Sequence, residues 1–96
     1  MIITIPQMKN FPWAGVDNQQ KREKITEITA GLTEIFKNVE TGIVFPENKF
    51  TKKVLIRIDG FEYDAMRIAR KERKKIDEIL KDTPATIFVG RTTRRL

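Results

Sequence analysis

The chain has no cysteine, no histidine and no serine. Without thiols there are no disulfides, no thiolate metal ligands and no cysteine nucleophile, and the redox compartment is left open. Without imidazole the usual near-neutral acid–base group is missing, and so is the commonest metal ligand. Serine nucleophiles are excluded outright. No apolar run approaches the ~20 residues of a membrane span and no signal-peptide pattern opens the sequence, so a cytoplasmic protein with no membrane partner is expected. Glycine is sparse: Gly15, Gly31, Gly42, Gly60 and Gly90 stand alone, and no G-x-x-x-x-G-K-[ST] phosphate loop occurs. Asp59, Glu62 and Asp64 gather at a strand-to-helix junction but lack the spacing of a calcium loop. They read as helix N-terminal acids favoured by the macrodipole. No metal and no cofactor is expected.

What is present suits one small domain. Ninety-six residues, 40% hydrophobic and 33% charged, describe a globular chain near the lower size limit for a self-sufficient core. Oligomerisation is therefore an expectation. The net charge of +6 is unevenly placed: residues 1–50 carry six basic and six acidic side chains, residues 51–96 thirteen and seven. A basic half suggests anionic company, although a solvated helix face plus a basic tail is the commoner meaning of such a pattern.

The longest amphipathic stretch runs from Asp17 to Val39. Ile25, Ile28, Leu32, Ile35, Phe36 and Val39 recur at spacings of three and four, one face of an α-helix, and Asp17 or Asn18 can cap its first turn. Gly31 inside it costs roughly 1 kcal/mol of helix propensity relative to alanine and can admit a close neighbour. Before it, Met1–Ile5 reads as a strand ended by Pro6, and residues 7–16 as a loop in which Phe11 and Trp13 pack back onto the domain, onto another subunit or around a ligand. After it, Thr41–Pro46 reads as a short strand and residues 47–51 as a turn. Lys53–Ile58 reads as a strand with Val54, Ile56 and Ile58 facing one way, Leu55 and Arg57 the other, and with Asp59 and Gly60 breaking it. A second helix spans Tyr63 to Lys81 on an apolar face of Ala65, Ile68, Ala69, Ile76, Ile79 and Leu80. Glu72 and Arg73 interrupt that face, so the helix overhangs its sheet or offers these charges to a partner. Ala85–Val89 is the last strand, and residues 91–96 form a basic tail.

The order β-α-β-β-α-β predicts an α+β domain of two comparable βαβ halves, residues 1–46 and 47–90, with both helices on one sheet face. Two architectures share it: a ferredoxin-like fold with interleaved halves, and the tautomerase type with the halves side by side in pseudo-twofold symmetry. The segment DNQQKREKITEITAGLTEIF resembles the first helix of the tautomerase superfamily. So do the strand at the start of the chain and TGIVFP followed by a long strand and an amphipathic helix, as in the branch of macrophage migration inhibitory factor and hydroxymuconate isomerase. The resemblance implies a homotrimer and a small carboxylate or keto-acid ligand. It places the reacting base at the chain start, where the family uses a proline; here Met1 is followed by Ile2, so the only base it offers is the primary amine of Met1. It implies Lys9 and Arg57 as carboxylate-holding cations and Trp13 and Phe50 as an aromatic wall. A relative without proline-dependent tautomerase activity is therefore expected, one that binds its ligand but turns it over little, if at all.

A reading of a different class rests on Arg67, Arg70, Lys71, Arg73, Lys74 and Lys75 together with Arg91, Arg94 and Arg95. Such charges suffice for phosphate contacts, which makes a ferredoxin-like basic module that binds nucleic acid or a protein partner the alternative. The strands lack an RNP-like aromatic run for reading bases.

Overall fold

A computed structural model describes residues 2–4, 17–46 and 53–95. Its elements follow in the order β1 (Ile2–Thr4), α1 (Asn18–Ile35), β2 (Thr41–Val44), β3 (Val54–Phe61), α2 (Asp64–Lys71), α3 (Arg73–Leu80) and β4 (Ala85–Thr92). The protein is α+β, with a mixed sheet covered by helices.

Helix α1 begins where its cap directs. The Asp17 carboxylate accepts from the Gln20 backbone N–H at 2.8 Å, and the Lys21 N–H donates to the Asp17 carbonyl. The expected stripe is the one that is buried: Ile25, Ile28, Leu32 and Phe36 are closed to solvent, while Ile35 and Val39 are half-buried. The helix stops at Ile35, short of Val39, with Phe36 as its C-cap donating to the Leu32 carbonyl.

The strands stand in the order β1-β2-β3-β4. β1 is parallel to β2, β2 antiparallel to β3, and β3 parallel to β4. Along β3 burial alternates as the pleat requires, with Val54, Ile56 and Ile58 fully buried and Arg57 outside. The register sets Ile43 of β2 beside Ile58, and Ile87 and Val89 of β4 beside Ile56 and Ile58, all on the helix side. One hydrophobic cluster joins these residues to α1, to Ala65 of α2 and to Ile76 of α3.

β2 ends at Val44, short of Pro46, and three further boundaries differ from the sequence expectation. β3 does not break at Asp59 and Gly60 but runs on to Phe61. Gly60 is needed there because a Cβ would overlap that of Ala65, so the glycine lets α2 dock on the strand. β4 passes through Gly90 to Thr92, which takes Arg91 and Thr92 out of the basic tail and into the sheet. The helix expected over Tyr63–Lys81 is two helices, broken at Glu72 (φ −104°, ψ 22°). The interrupted apolar stripe is the site of that break: Ala65 is the buried residue of α2, Ile76 that of α3, and the charged turn lies between them.

Gly31 brings α1 and α3 together, facing Ile79. Glu62, in the turn from β3 to α2, adopts a left-handed conformation at φ 52°, while its N–H donates to the Thr92 carbonyl at 2.8 Å. Among the described residues no helix is long and apolar enough to cross a membrane.

Candidate functional site

Because Val54, Ile56 and Ile58 point into the core, the alternate residues of β3 emerge on the opposite face, on which no helix lies among the described residues. The register aligns the residues of this face in rows. Val44, Arg57 and Phe88 form one row across β2, β3 and β4; Gly42, Asp59 and Gly90 form the next. Phe88 is 51% exposed, one of two large hydrophobic side chains open to solvent among the described residues.

Arg57 is half-exposed, and its Nε donates to Asp59 Oδ2 at 3.1 Å. Asp59 is the more enclosed partner, with its carboxylate lying over bare β4 backbone: a Cβ on Gly90 would stand 3.0 Å from Asp59 Oδ1. Phe88 stands in the row of Arg57, and Gly42 and Gly90 in the row of Asp59, so the absence of side chains on the two glycines leaves a trough in the sheet surface beside the pair. A guanidinium has five N–H donors, and among the described residues Asp59 is the only polar partner of Arg57. A planar cation beside an exposed ring matches a carboxylate joined to a small apolar body. At the far end of the same face the Arg95 guanidinium stacks 5.2 Å from the centre of the Phe61 ring.

Of the residues assigned from sequence, Arg57 is the one the structure describes. It lies on the uncovered side of the sheet, as its place in the strand alternation requires. Met1, Lys9, Trp13 and Phe50 lie outside the described residues, as does the aromatic loop of residues 7–16. The sequence reading missed Phe88 and Asp59. Phe88 was detectable: in Ala85–Val89 the period of two sends Ile87 and Val89 inward and Phe88 outward. Asp59 was taken for a helix N-terminal acid, yet it belongs to β3. Asp64 alone of that trio fits the expectation, opening α2 with Arg67 at 3.7 Å; Glu62 occupies the turn.

A separate hollow of about 440 Å³ lies between the first half of α1 and the α3–β4 connection. Its walls mix Glu23, Lys24, Glu27 and Asp82 with Gln20 and Thr83, and Lys24 faces Glu27 at 3.9 Å. Among the described residues no cluster of three or more acidic side chains is arranged to hold a metal ion. Ionisation is shifted at two exposed helix pairs remote from the trough. Glu34 is held below the ordinary glutamate range by its hydrogen bond from Lys37, and Lys81 above the ordinary lysine range by its hydrogen bond to Glu78. No family model, no curated protein and no solved structure matches the chain.

Proposed function

We propose that this chain is a subunit of a tautomerase-type homotrimer that binds a small carboxylate or keto acid at Arg57 and carries out little or no proline-type tautomerisation. The observation that carries this reading is the strand order, in which the parallel pair β1–β2 stands beside the parallel pair β3–β4. Interleaved ferredoxin-like halves put strands of different halves next to one another, and this order does not. A pseudo-twofold repeat would set β1 beside β3 or β2 beside β4, and here β2 stands beside β3, so the halves are side by side without the expected symmetry. The uncovered face supports it too. A ring of three subunits with helices outward turns these faces inward, gives the outer strands β1 and β4 neighbours, and takes Phe88 out of water.

In this reading Arg57 pairs with the ligand carboxylate, Asp59 holds the guanidinium in plane beforehand, and Phe88 packs against the ligand's apolar part. Lys9 supplies a second cation, and Trp13 and Phe50 complete the aromatic wall.

The test is a calorimetric titration with phenylpyruvate. Binding that weakens about tenfold or more in Arg57→Gln is expected, the loss of one charge-assisted pair being ~1.5–3 kcal/mol, with ketonisation no faster than buffer. Equal binding by Arg57→Gln, or brisk ketonisation by the wild type, contradicts the assignment.

A further inference from the structure

The segment Arg67–Lys75 carries six cations and one carboxylate in nine residues, a net charge of +5 against +6 for the whole chain. All six cations are exposed. Three are tied to neighbouring acids: Arg67 to Asp64 at 3.7 Å, Arg73 to Asp77 at 4.0 Å and Lys75 to Glu72 at 3.3 Å. The other three, Arg70, Lys71 and Lys74, have no acidic partner among the described residues. Arg67, Arg70 and Lys71 follow one another at i, i+3 and i+4 along α2, on the side away from Ala65, and Lys74 lies just past the break in α3. Where α2 gives way to α3, Arg70, Lys71, Arg73, Lys74 and Lys75 line an open hollow of about 790 Å³ together with Glu72 and Asp77.

We infer that this band binds the phosphate backbone of double-stranded nucleic acid without reading its sequence. The chemistry favours that partner over other polyanions. From Arg67 to Lys74 the band extends ~10 Å, a length over which a duplex presents about six phosphate charges. Residues 64–82 contain no aromatic side chain, so the cations have no stacking platform beside them for unpaired bases. Ala65, Ile68, Ala69, Ile76, Ile79 and Leu80 are turned to the core, which leaves Met66 as the one apolar side chain of α2 and α3 outside it, too little to enter a bilayer. Tyr63, just before α2, is engaged by Arg91, whose Nη1 donates to the Tyr63 hydroxyl at 2.8 Å. The band lies in the helical layer, away from the trough, so the inference stands independently of the proposed ligand and trimer.

The experiment is fluorescence anisotropy of a labelled mixed-sequence duplex across a salt series, with the full chain and two variants. Neutralising three phosphates gives a log–log salt slope of about −2.7, so wild-type affinity should fall at least ~40-fold from about 50 to 200 mM salt. Arg70→Gln/Lys71→Gln/Lys74→Gln should bind at least tenfold more weakly at the low salt and lose most of that slope, with an unchanged circular dichroism spectrum. Lys24→Gln/Lys37→Gln, on α1 and just past its end, should bind as the wild type does. The inference is overturned by absent duplex binding at low salt or by a triple variant that binds normally. Tighter binding of a single strand of the same sequence, or capture on phosphatidylserine vesicles with none on duplex, overturns it as well.

Discussion

Gly31 of α1 lies directly against Ile79 of α3: a Cβ added to the glycine would stand 2.7 Å from Ile79 Cδ1 and 3.0 Å from Cγ1. Helix propensity favours alanine at Gly31 by about 1 kcal/mol, while overpacking costs ~1–3 kcal/mol, so the two effects oppose each other. Gly31→Ala is expected to destabilise slightly and Gly31→Val by more than 2 kcal/mol, the larger side chain adding steric bulk on the order of the overpacking range. In Ile79→Ala the space opens, and Gly31→Ala should then stabilise. A double-mutant cycle by urea denaturation checks this, with a coupling of ~1–2 kcal/mol as the expected result.

Thr41 is buried in β2 with its hydroxyl unpaired among the described residues. A buried unsatisfied hydroxyl costs about 1–3 kcal/mol, and valine keeps the shape without the polar atom. Thr41→Val should therefore raise the urea midpoint, whereas Leu32→Ala, opening a cavity at a fully buried site, should cost roughly 2–5 kcal/mol. A lower midpoint for Thr41→Val would mean that the hydroxyl has a partner.

How far these features were legible beforehand depends on what encodes them. The core face of α1 is written in the period of Ile25, Ile28, Leu32 and Phe36, and the two faces of β3 in the alternation from Val54 to Ile58. The extents of β3 and β4 were not legible. Gly60 and Gly90 look like chain breakers in one dimension, but in three they are places where Ala65 and the Asp59 carboxylate approach the backbone. The break at Glu72 was hidden for a related reason: every residue of Arg70–Lys75 is a good helix former, and the kink reflects where the core takes hold of each half. In the trough Arg57 was legible from its charge and strand position. Asp59 was not, because its role depends on the cross-strand register with Gly42 and Gly90.

Glu62 holds φ 52°, a conformation that costs a non-glycine residue on the order of 1 kcal/mol. Its side chain is exposed, so removing it disturbs no packing. Glu62→Gly should be neutral to mildly stabilising in thermal unfolding, and Glu62→Val destabilising, since a β-branched residue fits that region poorly.

Glu34 should titrate below the ordinary glutamate range, because Lys37 donates to it at 2.7 Å and Lys75 of α3 adds a weaker attraction. Its folded pKa is depressed, so the small stability it contributes is present above the unfolded pKa and is lost as pH falls through the folded one. An NMR titration of the Glu34 side chain should move back toward the ordinary value in Lys37→Ala.

Phe88 offers the sharpest separation of assembly from folding. It is half in water in the single chain, so Phe88→Asp should leave the circular dichroism spectrum almost unchanged and lower the unfolding midpoint only by what assembly contributes. In a ring that encloses the sheet face the same charge would be buried, with its desolvation only partly offset by Arg57 on the next strand, and should dissociate the subunits.

Sedimentation equilibrium of the wild-type chain bears most directly on the central claim. With 11.2 kDa per chain, the account predicts one species of three times that mass, reduced to the single-chain mass by Phe88→Asp. A wild-type protein that sediments as a monomer or a dimer at the same concentrations contradicts it.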